Sequence, residues 1–167
     1  LPHDKADIPG LTVIETPGHA PHHLSFTWQG RLFSGEAAGN YLNTGNREYV
    51  RPATPPRFFL YEAVASVDKL LVLDDQPIHF GHYGWADSSK RIAGRFRAQL
   101  FRWRDIVGAE LSRGEGPDLP ERCLKALIGQ DPELSVFPSL PQPVQARERR
   151  FILTSVKGYL GFLRESR

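Results

Sequence analysis

The amino-acid sequence predicts a mixed α/β fold, in which short strands come first and helices follow. Residues 11–34 contain apolar runs typical of strands, whereas apolar residues recur every three or four positions in later segments. A short apolar run at residues 77–80 separates the first two helical segments. Strands, a helix, a strand and then helices are the element order of a layered α/β structure.

Three strands are predicted in the first part of the chain. Residues 11–16 (LTVIET) are β-branched and alternate in polarity, and residues 23–28 form an extended run. Between them lies a turn, residues 16–19 (TPGH). Residues 29–30 (QG) suit a hairpin turn, which predicts that residues 31–34 form a strand paired with the run before it.

Residues 35–56 predict a long irregular loop, because Gly, Asn, Thr and Pro dominate and no periodicity is visible. Loops of this length inside a compact domain more often serve a function than merely connect elements. We therefore expect substrate contacts from Tyr41 and Tyr49, with simple packing of both rings as the alternative.

Helices are predicted over residues 59–71 and 89–111, where apolar residues recur at helical spacing. A third helix is expected to begin near Pro120, with Asp118 as its N-cap, and to run to Ile128. A last helix is expected over residues 145–165, after a proline-rich connection. The apolar stripe of the second helix is Ile92, Phe96, Leu100, Trp103, Val107 and Leu111.

The composition restricts the class of protein. The chain has 167 residues, of which 40% are apolar, a length that supports one core. A net charge of +2 gives no overall attraction to nucleic acid or an anionic membrane, and the single cysteine, Cys123, excludes Cys-rich zinc sites. No run approaches the roughly 20 apolar residues of a membrane span, and no secretory leader is visible, so we expect a cytoplasmic protein.

Three polar side chains that follow predicted strands are candidates for a metal site. His19 lies in a Pro-Gly-His turn, Glu36 in a Ser-Gly-Glu turn and His82 in a Gly-His-Tyr-Gly turn. Turns at strand ends present side chains to a shared cleft, and the neighbouring glycines allow close approach. Two imidazoles and a carboxylate suit zinc or iron. A surface or hydrogen-bonding role is the alternative for each of them.

The same turns resemble motifs of the metallo-β-lactamase superfamily. Residues 16–23 (TPGHAPHH) are similar to its TPGHxxxH segment, and residues 33–39 (FSGEAAG) are similar to a strand that ends in Gly-Asp. Residues 80–84 (FGHYG) are similar to its last metal-ligand motif, and the order of the motifs matches. The resemblance covers roughly residues 8–87, whereas residues 88–167 are less specifically similar to the helical C-terminal extension of some members.

This resemblance implies a fold, a cofactor and a reaction. Residues 1–87 would be the C-terminal half of an αββα sandwich of the metallo-β-lactamase type, and residues 88–167 a helical extension packed on it. A complete site in this family holds two metal ions, zinc above all, with iron or manganese as alternatives. The metals activate water for attack on an ester, lactone, thioester or similar bond.

The resemblance also implies a role for each motif residue. His19 would bind the first metal, Glu36 would bridge the two metals, and His82 would bind the second. His23 matches a position from which a histidine supports the site by hydrogen bonds without binding metal itself.

Two departures from the family pattern weaken this site. The bridging acid is usually Asp, and Glu36 is one methylene longer. The leading motif His-x-His-x-Asp-His is absent between Leu1 and Gly18, where His3 and Asp4 lack the rest of it. We therefore expect that the chain alone is inactive and binds metal weakly. Because it starts at Leu1 and contains no Met, we also expect that upstream residues have been removed or belong to a separate piece.

The sequence also predicts a binding partner for the sheet and the positions of two further histidines. Half of a sandwich would expose an apolar sheet face, which predicts either self-association or association with the missing N-terminal segment. His22 and His79 are expected to be structural or exposed.

Two alternatives to a hydrolase stay open. Glu36 could mark a family member whose metal site has decayed. The second long helix could instead present a basic surface to nucleic acid or an acidic partner, against the alternative of an ordinary solvated face. The residues of this surface are Lys90, Arg91, Arg95, Arg97, Arg102 and Arg104, with Arg147, Arg149 and Arg150 nearby in sequence.

Overall fold

The computed structural model describes residues 8–45 and 47–165, so His3 and Asp4 of the predicted first domain lie outside it. The strands of this part of the chain are β1 (Thr12–Glu15), β2 (Leu24–Trp28), β3 (Arg31–Gly35), β4 (Asn40–Asn43), β5 (Glu48–Arg51), β6 (Ile78–Phe80) and β7 (Trp85–Ala86). The α-helices are α1 (Leu60–Leu71), α2 (Ser89–Ser112), α3 (Leu119–Gln130) and α4 (Gln142–Glu165).

Five strands form one mixed sheet in the order β1-β2-β3-β6-β7. β1, β2 and β3 form an antiparallel meander, β3 and β6 run parallel, and β6 and β7 are antiparallel. The turn between β2 and β3 holds Gln29 and Gly30 at φ values of 49° and 68°, the backbone that a two-residue hairpin turn requires. The predicted first three strands and the predicted strand at residues 77–80 are therefore confirmed.

The five-stranded sheet has one buried face and one exposed face. Leu32 and Ile78 are fully buried on the inner face, because successive side chains of a strand point to opposite sides. The register places another set side by side on the opposite face: Val13, Phe26, Phe33, His79 and Trp85. Val13 and Trp85 are 53% and 55% exposed there. We call this apolar, solvent-exposed surface the outer sheet face.

The prediction of an irregular loop over residues 35–56 is wrong, because this segment contains a β-hairpin. β4 and β5 pair antiparallel in a separate two-stranded sheet, with Tyr41 opposite Val50. α2 holds the hairpin, since the Gln99 side-chain amide donates a 2.8 Å hydrogen bond to the Val50 carbonyl. Each strand has only four residues, too few for a visible alternation, so packing against the helices decides the structure.

α1 and α2 confirm the helices predicted over residues 59–71 and 89–111, and the apolar stripe of α2 is buried throughout. α3 begins at Leu119, close to its predicted start. Asp118 does not cap it with its side chain, because the Asp118 backbone is helical and its carboxylate lies 3.0 Å from Arg122 Nε.

The connection before α4 is more regular than predicted. Two 3-10 turns, Pro132–Leu134 and Phe137–Ser139, lie in it. α4 starts at Gln142, three residues before the predicted start, since Pro143 in a first turn breaks no helical hydrogen bond.

One apolar cluster contains side chains from the sheet, the hairpin and the helices. The predicted division between residues 1–87 and 88–167 stays a prediction. Of the helices in the described part of the chain, none is both long and apolar enough to span a membrane. The cytoplasmic location stays a prediction as well.

Asp131 is a buried carboxylate that ties α3 to α2. Its Oδ2 accepts hydrogen bonds from Gln99 Nε2 at 2.6 Å and from Trp103 Nε1 at 2.7 Å. Its Oδ1 accepts from Arg102 Nη1 at 2.9 Å and from the Glu133 backbone N–H at 3.2 Å. These four donors satisfy both oxygens of a side chain that is 0% exposed.

Candidate metal centre

The ends of β3 and β6 bring Glu36 and His82 into contact. Because the two strands run parallel, the turns that follow them lie at the same edge of the sheet. His82 Nε2 lies 3.0 Å from Glu36 Oε1, and His23 Nε2 lies 3.2 Å from Glu36 Oε2. The structure therefore brings two of the three predicted ligands together with the histidine predicted to support them.

Two glycines permit this contact. A Cβ on Gly35 would lie 2.5 Å from His23 Nε2, and a Cβ on Gly81 would lie 3.1 Å from Glu36 Oε1. Gly35 also has a φ of 55°, where a side chain would be strained. The close approach that the sequence predicted for residues beside these glycines is therefore present.

A chain of hydrogen bonds places the proton of His23 on Nδ1. The Ser25 hydroxyl donates to the Ser34 carbonyl at 3.1 Å. The Thr16 hydroxyl must then donate to Ser25 Oγ, at 2.9 Å, and accept from His23 Nδ1, also at 2.9 Å. His23 Nε2 is left to face Glu36. Without a proton it accepts from the Glu36 backbone N–H at 3.1 Å, and in the doubly protonated ring it donates to Glu36 Oε2 at 3.2 Å. This geometry fits the supporting role predicted for His23.

The surroundings of Glu36 favour its ionised form. The hydrogen bond with His23 contributes most to a pKa of about 2 for Glu36, while partial burial acts in the opposite direction. The nearby charges of His19 and His82 lower this pKa further. The carboxylate is therefore ionised at neutral pH and suited to a cation.

His19 is held by the backbone near the hairpin. Its Nδ1 donates to the Ala53 carbonyl at 2.8 Å, which leaves the lone pair of Nε2 free. Histidines that bind metal through one ring nitrogen commonly donate from the other nitrogen to a carbonyl. His19 therefore has the tautomer that a metal ligand needs.

The predicted ligands are only partly assembled. Among residues 8–45 and 47–165, no group of three or more His, Cys, Asp and Glu side chains is arranged to hold a metal ion. Glu36 and His82 are in contact, and the His19 ring lies beside that of His23, with ring centroids 6.0 Å apart. These side chains fit a zinc-type ion in kind, and His19 fits it in tautomer as well, but they are fewer than the four ligands of a typical zinc site.

A cavity of about 330 Å³ opens beside His19 and His82. Its walls come from the turn after β6, the β4–β5 hairpin with the segment that follows it, and α4. Leu42, Pro55 and Phe151 give it an apolar lining. Concave, mostly apolar cavities with a few polar groups are typical small-molecule sites.

Tyr41 and Tyr49, predicted to contact substrate, lie in the cavity wall but are only 2% and 0% exposed. The Tyr41 hydroxyl donates to Glu48 at 3.0 Å, and the Tyr49 hydroxyl donates to Glu148 at 3.3 Å. Burial raises the pKa of Tyr41 to about 12 and also raises the pKa of Tyr49, so both stay protonated. Both rings pack in the wall, and contact with substrate stays a prediction.

Sequence reasoning missed the residues of α4 that line the cavity. Glu148 is buried and forms an ion pair with Arg51. Arg147 Nη1 donates to the Tyr83 hydroxyl at 3.1 Å. The only available signal was the spacing of Arg147, Glu148 and Phe151, which places them on one face of the last helix.

The other two histidines have the predicted structural or exposed positions. His79 stacks on Phe33 and on Trp85, with ring centroids 5.0 and 6.3 Å apart. His22 is exposed in the turn before β2.

The predicted basic surface on α2 is largely neutralised by carboxylates. Arg95 forms ion pairs with two carboxylates, those of Glu48 and Glu133. The pairing supports the alternative of an ordinary charged face. The other pairs are Arg91 with Glu48, Arg97 with Asp68, Arg102 with Asp131, Arg104 with Asp105, and, on α4, Arg147 with Glu148 and Arg149 with Glu121.

Known proteins match this chain over part of their length. No family model matches it. A curated relative, the metallo-beta-lactamase fold-containing protein ST1585 of Sulfurisphaera tokodaii, is 35% identical over 74 residues, which are 44% of this chain and 27% of that protein.

Two solved structures are similar to most of this chain. The archaeal metallo-beta-lactamase superfamily protein ST1585 from Sulfolobus tokodaii has a TM-score of 0.56 and 25% identity, over 89% of this chain and 45% of that one. The metallo-beta-lactamase family protein TTHA1429 from Thermus thermophilus has a TM-score of 0.58 and 24% identity, over 93% of this chain and 44% of that one.

The chain is therefore a protein of the metallo-β-lactamase fold, as its motifs predicted. It spans less than half the length of the relatives that it matches, a share that fits the C-terminal half of this fold. The predicted α/β class is confirmed at the same time.

Proposed function

We propose that this chain provides part of the active site of a metal-dependent hydrolase of the metallo-β-lactamase superfamily. The reaction would be attack of activated water on an ester, lactone, thioester or similar bond. The observation that carries the proposal is the convergence of Glu36, His82 and His23 beside an apolar cavity. Zinc is the metal that these ligand types favour, with iron and manganese as alternatives.

Each residue of the site would have a separate task. Zinc, when bound, supplies a water of lowered pKa and a positive charge for the developing oxyanion. Glu36 would hold the ion through its ionised carboxylate, and His19 and His82 through Nε2. His23 keeps Glu36 in place through the contacts to its backbone N–H and carboxylate. The cavity would take up the organic part of the substrate and exclude bulk water from the reacting bond.

A decayed metal site is the second interpretation of the same contact. Glu36 Oε1 and His82 Nε2 lie 3.0 Å apart, a distance at which an ion pair satisfies both groups without a metal. Zinc binding separates this interpretation from the hydrolase.

Calorimetric titration of the chain with zinc tests the proposal. We expect weak binding, because the described residues supply too few ligands for a full coordination sphere. Glu36→Gln and His82→Gln should each lower the affinity by about tenfold or more. His22→Gln is the matched control, since this exposed histidine lies one residue from His23, and its affinity should equal that of the wild type.

Two outcomes would contradict the proposal. Equal affinity in Glu36→Gln and His22→Gln would show that zinc binds elsewhere on the chain. Absence of zinc binding by wild-type chain with the circular dichroism of a folded protein would favour the decayed site.

We also propose that a second copy of the chain covers the outer sheet face when the chain is isolated. Val13 and Trp85 are exposed there, and Phe26 and Phe33 continue the apolar surface between them. Contiguous exposed apolar surfaces of this kind mark interfaces. The N-terminal half of a complete sandwich, the other predicted occupant, would compete for the same face.

Sedimentation equilibrium tests this interface. Trp85→Lys should convert self-associating chain to monomer, because it places a charge in the apolar surface. Tyr61→Lys is the control, since Tyr61, 64% exposed against 55% for Trp85, lies on α1. A wild-type chain that is strictly monomeric and binds no hydrophobic dye would rule out the interface.

A further inference from the structure

We infer that the cavity beside His19 and His82 binds a small organic anion, an apolar body that carries a carboxylate, and that Arg147 binds this carboxylate. One part of the inference rests on the proposed function, namely that this ligand is the substrate class of the hydrolase. Binding of the ligand does not itself require a metal, so it is testable separately.

The lining selects an apolar body. Leu42, Pro55 and Phe151 face a space of about 330 Å³, which is at the lower end of the range for small-molecule sites, roughly 300–1,000 Å³. Burial of apolar area in such a space is favourable for each CH₂ group removed from water. The cavity therefore suits a short or medium acyl chain or a single aromatic ring.

The fixed charges of the lining select an anion. Two arginines and one glutamate, Arg51, Arg147 and Glu148, leave one positive charge in excess. Arg51 is buried, pairs with Glu148 through Nε, donates from Nη1 to the Pro52 carbonyl at 3.2 Å and stacks on the Phe151 ring, so most of its guanidinium is engaged within the protein.

Arg147 is the cation that is left for a ligand. Its Nε lies 3.2 Å from Glu148 and its Nη1 lies 3.1 Å from the Tyr83 hydroxyl. Its Nη2 has no hydrogen-bond partner among residues 8–45 and 47–165, and the side chain is partly exposed. A guanidinium with an unused N–H group at the edge of an apolar space is a favourable carboxylate site. Tyr83 joins Arg147 to the turn of His82, so the anion would bind near the proposed reacting end.

A second polar atom of the lining also lacks a partner. Thr54 is 4% exposed, and within the described residues its Oγ1 makes no hydrogen bond. A buried hydroxyl without a partner is unfavourable, and a polar atom of a ligand in the cavity would relieve this. Because this oxygen has almost no accessible surface, a ligand would reach it only after a change of the Thr54 side-chain rotamer.

Calorimetry on chain treated with a chelator tests the inference with three probes. Octanoate should bind roughly tenfold more tightly than octanamide, which has the same body without the charge. Acetate should show no binding at the same concentrations, because it lacks the apolar body. Arg147→Gln should remove the preference for octanoate, whereas Arg164→Gln, an exposed arginine on the same helix, should keep it. Phe151→Ala should weaken binding of octanoate and octanamide equally.

Each contrary result has a defined meaning. Equal binding of octanoate and octanamide by the wild type, or no binding of either, overturns the inference. A preference that survives in Arg147→Gln overturns the assignment to Arg147. Octanoate binding by a chain that does not bind zinc leaves the cavity inference standing and contradicts the proposed hydrolase. Zinc binding without octanoate binding contradicts the cavity inference and leaves the proposed hydrolase standing.

Discussion

Two carboxylates in this protein, Asp131 and Glu36, differ in the kind of partner that surrounds them. Asp131 is 0% exposed and accepts hydrogen bonds from four donors that keep their protons at neutral pH. Glu36 is 17% exposed and contacts imidazoles, which can gain or lose a proton or bind a metal. A saturated set of fixed donors indicates a structural acid, and exchangeable partners beside a cavity indicate a functional one.

The largest effect is expected for Asp131→Asn. The NH₂ group of the new Asn would face hydrogen-bond donors that now bind a carboxylate oxygen, in a buried position. The free energy of unfolding, measured by urea denaturation, should therefore fall by about 3 kcal/mol. Asp105→Asn, in an exposed pair with Arg104, should stay within about 0.5 kcal/mol of the wild type. If Asp131→Asn lowers the free energy of unfolding by less than about 1 kcal/mol, the four donors around Asp131 contribute little to stability. The contrast between a structural Asp131 and a functional Glu36 would then fail.

An intermediate effect is expected for Glu48. Like Asp131, this carboxylate accepts hydrogen bonds from several fixed donors, but it is partly exposed. The hydrogen bond from Arg91 contributes most to a pKa of about 2 for Glu48, burial opposes it, and bonds from Arg95 and Tyr41 lower it further. Because this pKa is lowered in the folded chain, the stabilisation is present above the ordinary value of 4.5 and is lost as the pH falls through about 2.

Glu48→Gln should therefore be less stable than wild type by about 1–2 kcal/mol at neutral pH, after allowance for solvent screening. The difference should shrink as the pH falls from 4.5 towards 2 in urea denaturation experiments. Glu115→Gln, in an exposed pair with Arg164, is the control and should differ from wild type by less than about 0.5 kcal/mol. A difference for Glu48→Gln that grows on acidification would contradict the ion-pair explanation.

The smallest effect, of opposite sign, is expected in the wall of the cavity. Thr54→Val removes a buried hydroxyl without a partner at nearly constant volume, so the free energy of unfolding should rise by about 0.5–1 kcal/mol. Thr16→Val is the matched control, since its hydroxyl is bonded to His23 and Ser25, and it should lose about 1–2 kcal/mol. Loss of stability in both variants would mean that the Thr54 hydroxyl has a partner in the folded chain.

The sequence was informative where structure depends on neighbouring residues. The hairpin turn at residues 29–30 and the apolar stripe of α2 follow from local rules, and both are present. The β4–β5 hairpin was missed, because its strands are short and are buried by helices far away in sequence. The same reason hid Arg147, whose contact with Tyr83 joins positions 64 residues apart.

By itself, the sequence determined the α/β class, most of the strands and helices, and the three turns that carry His19, Glu36 and His82, because strand ends, glycines and motif order are local properties of a chain. Only the tertiary structure decided that Glu36 contacts His82 while His19 lies beside His23, and that α4 closes a cavity next to them. Those distances depend on the packing of elements that are remote in sequence, and no local pattern records them.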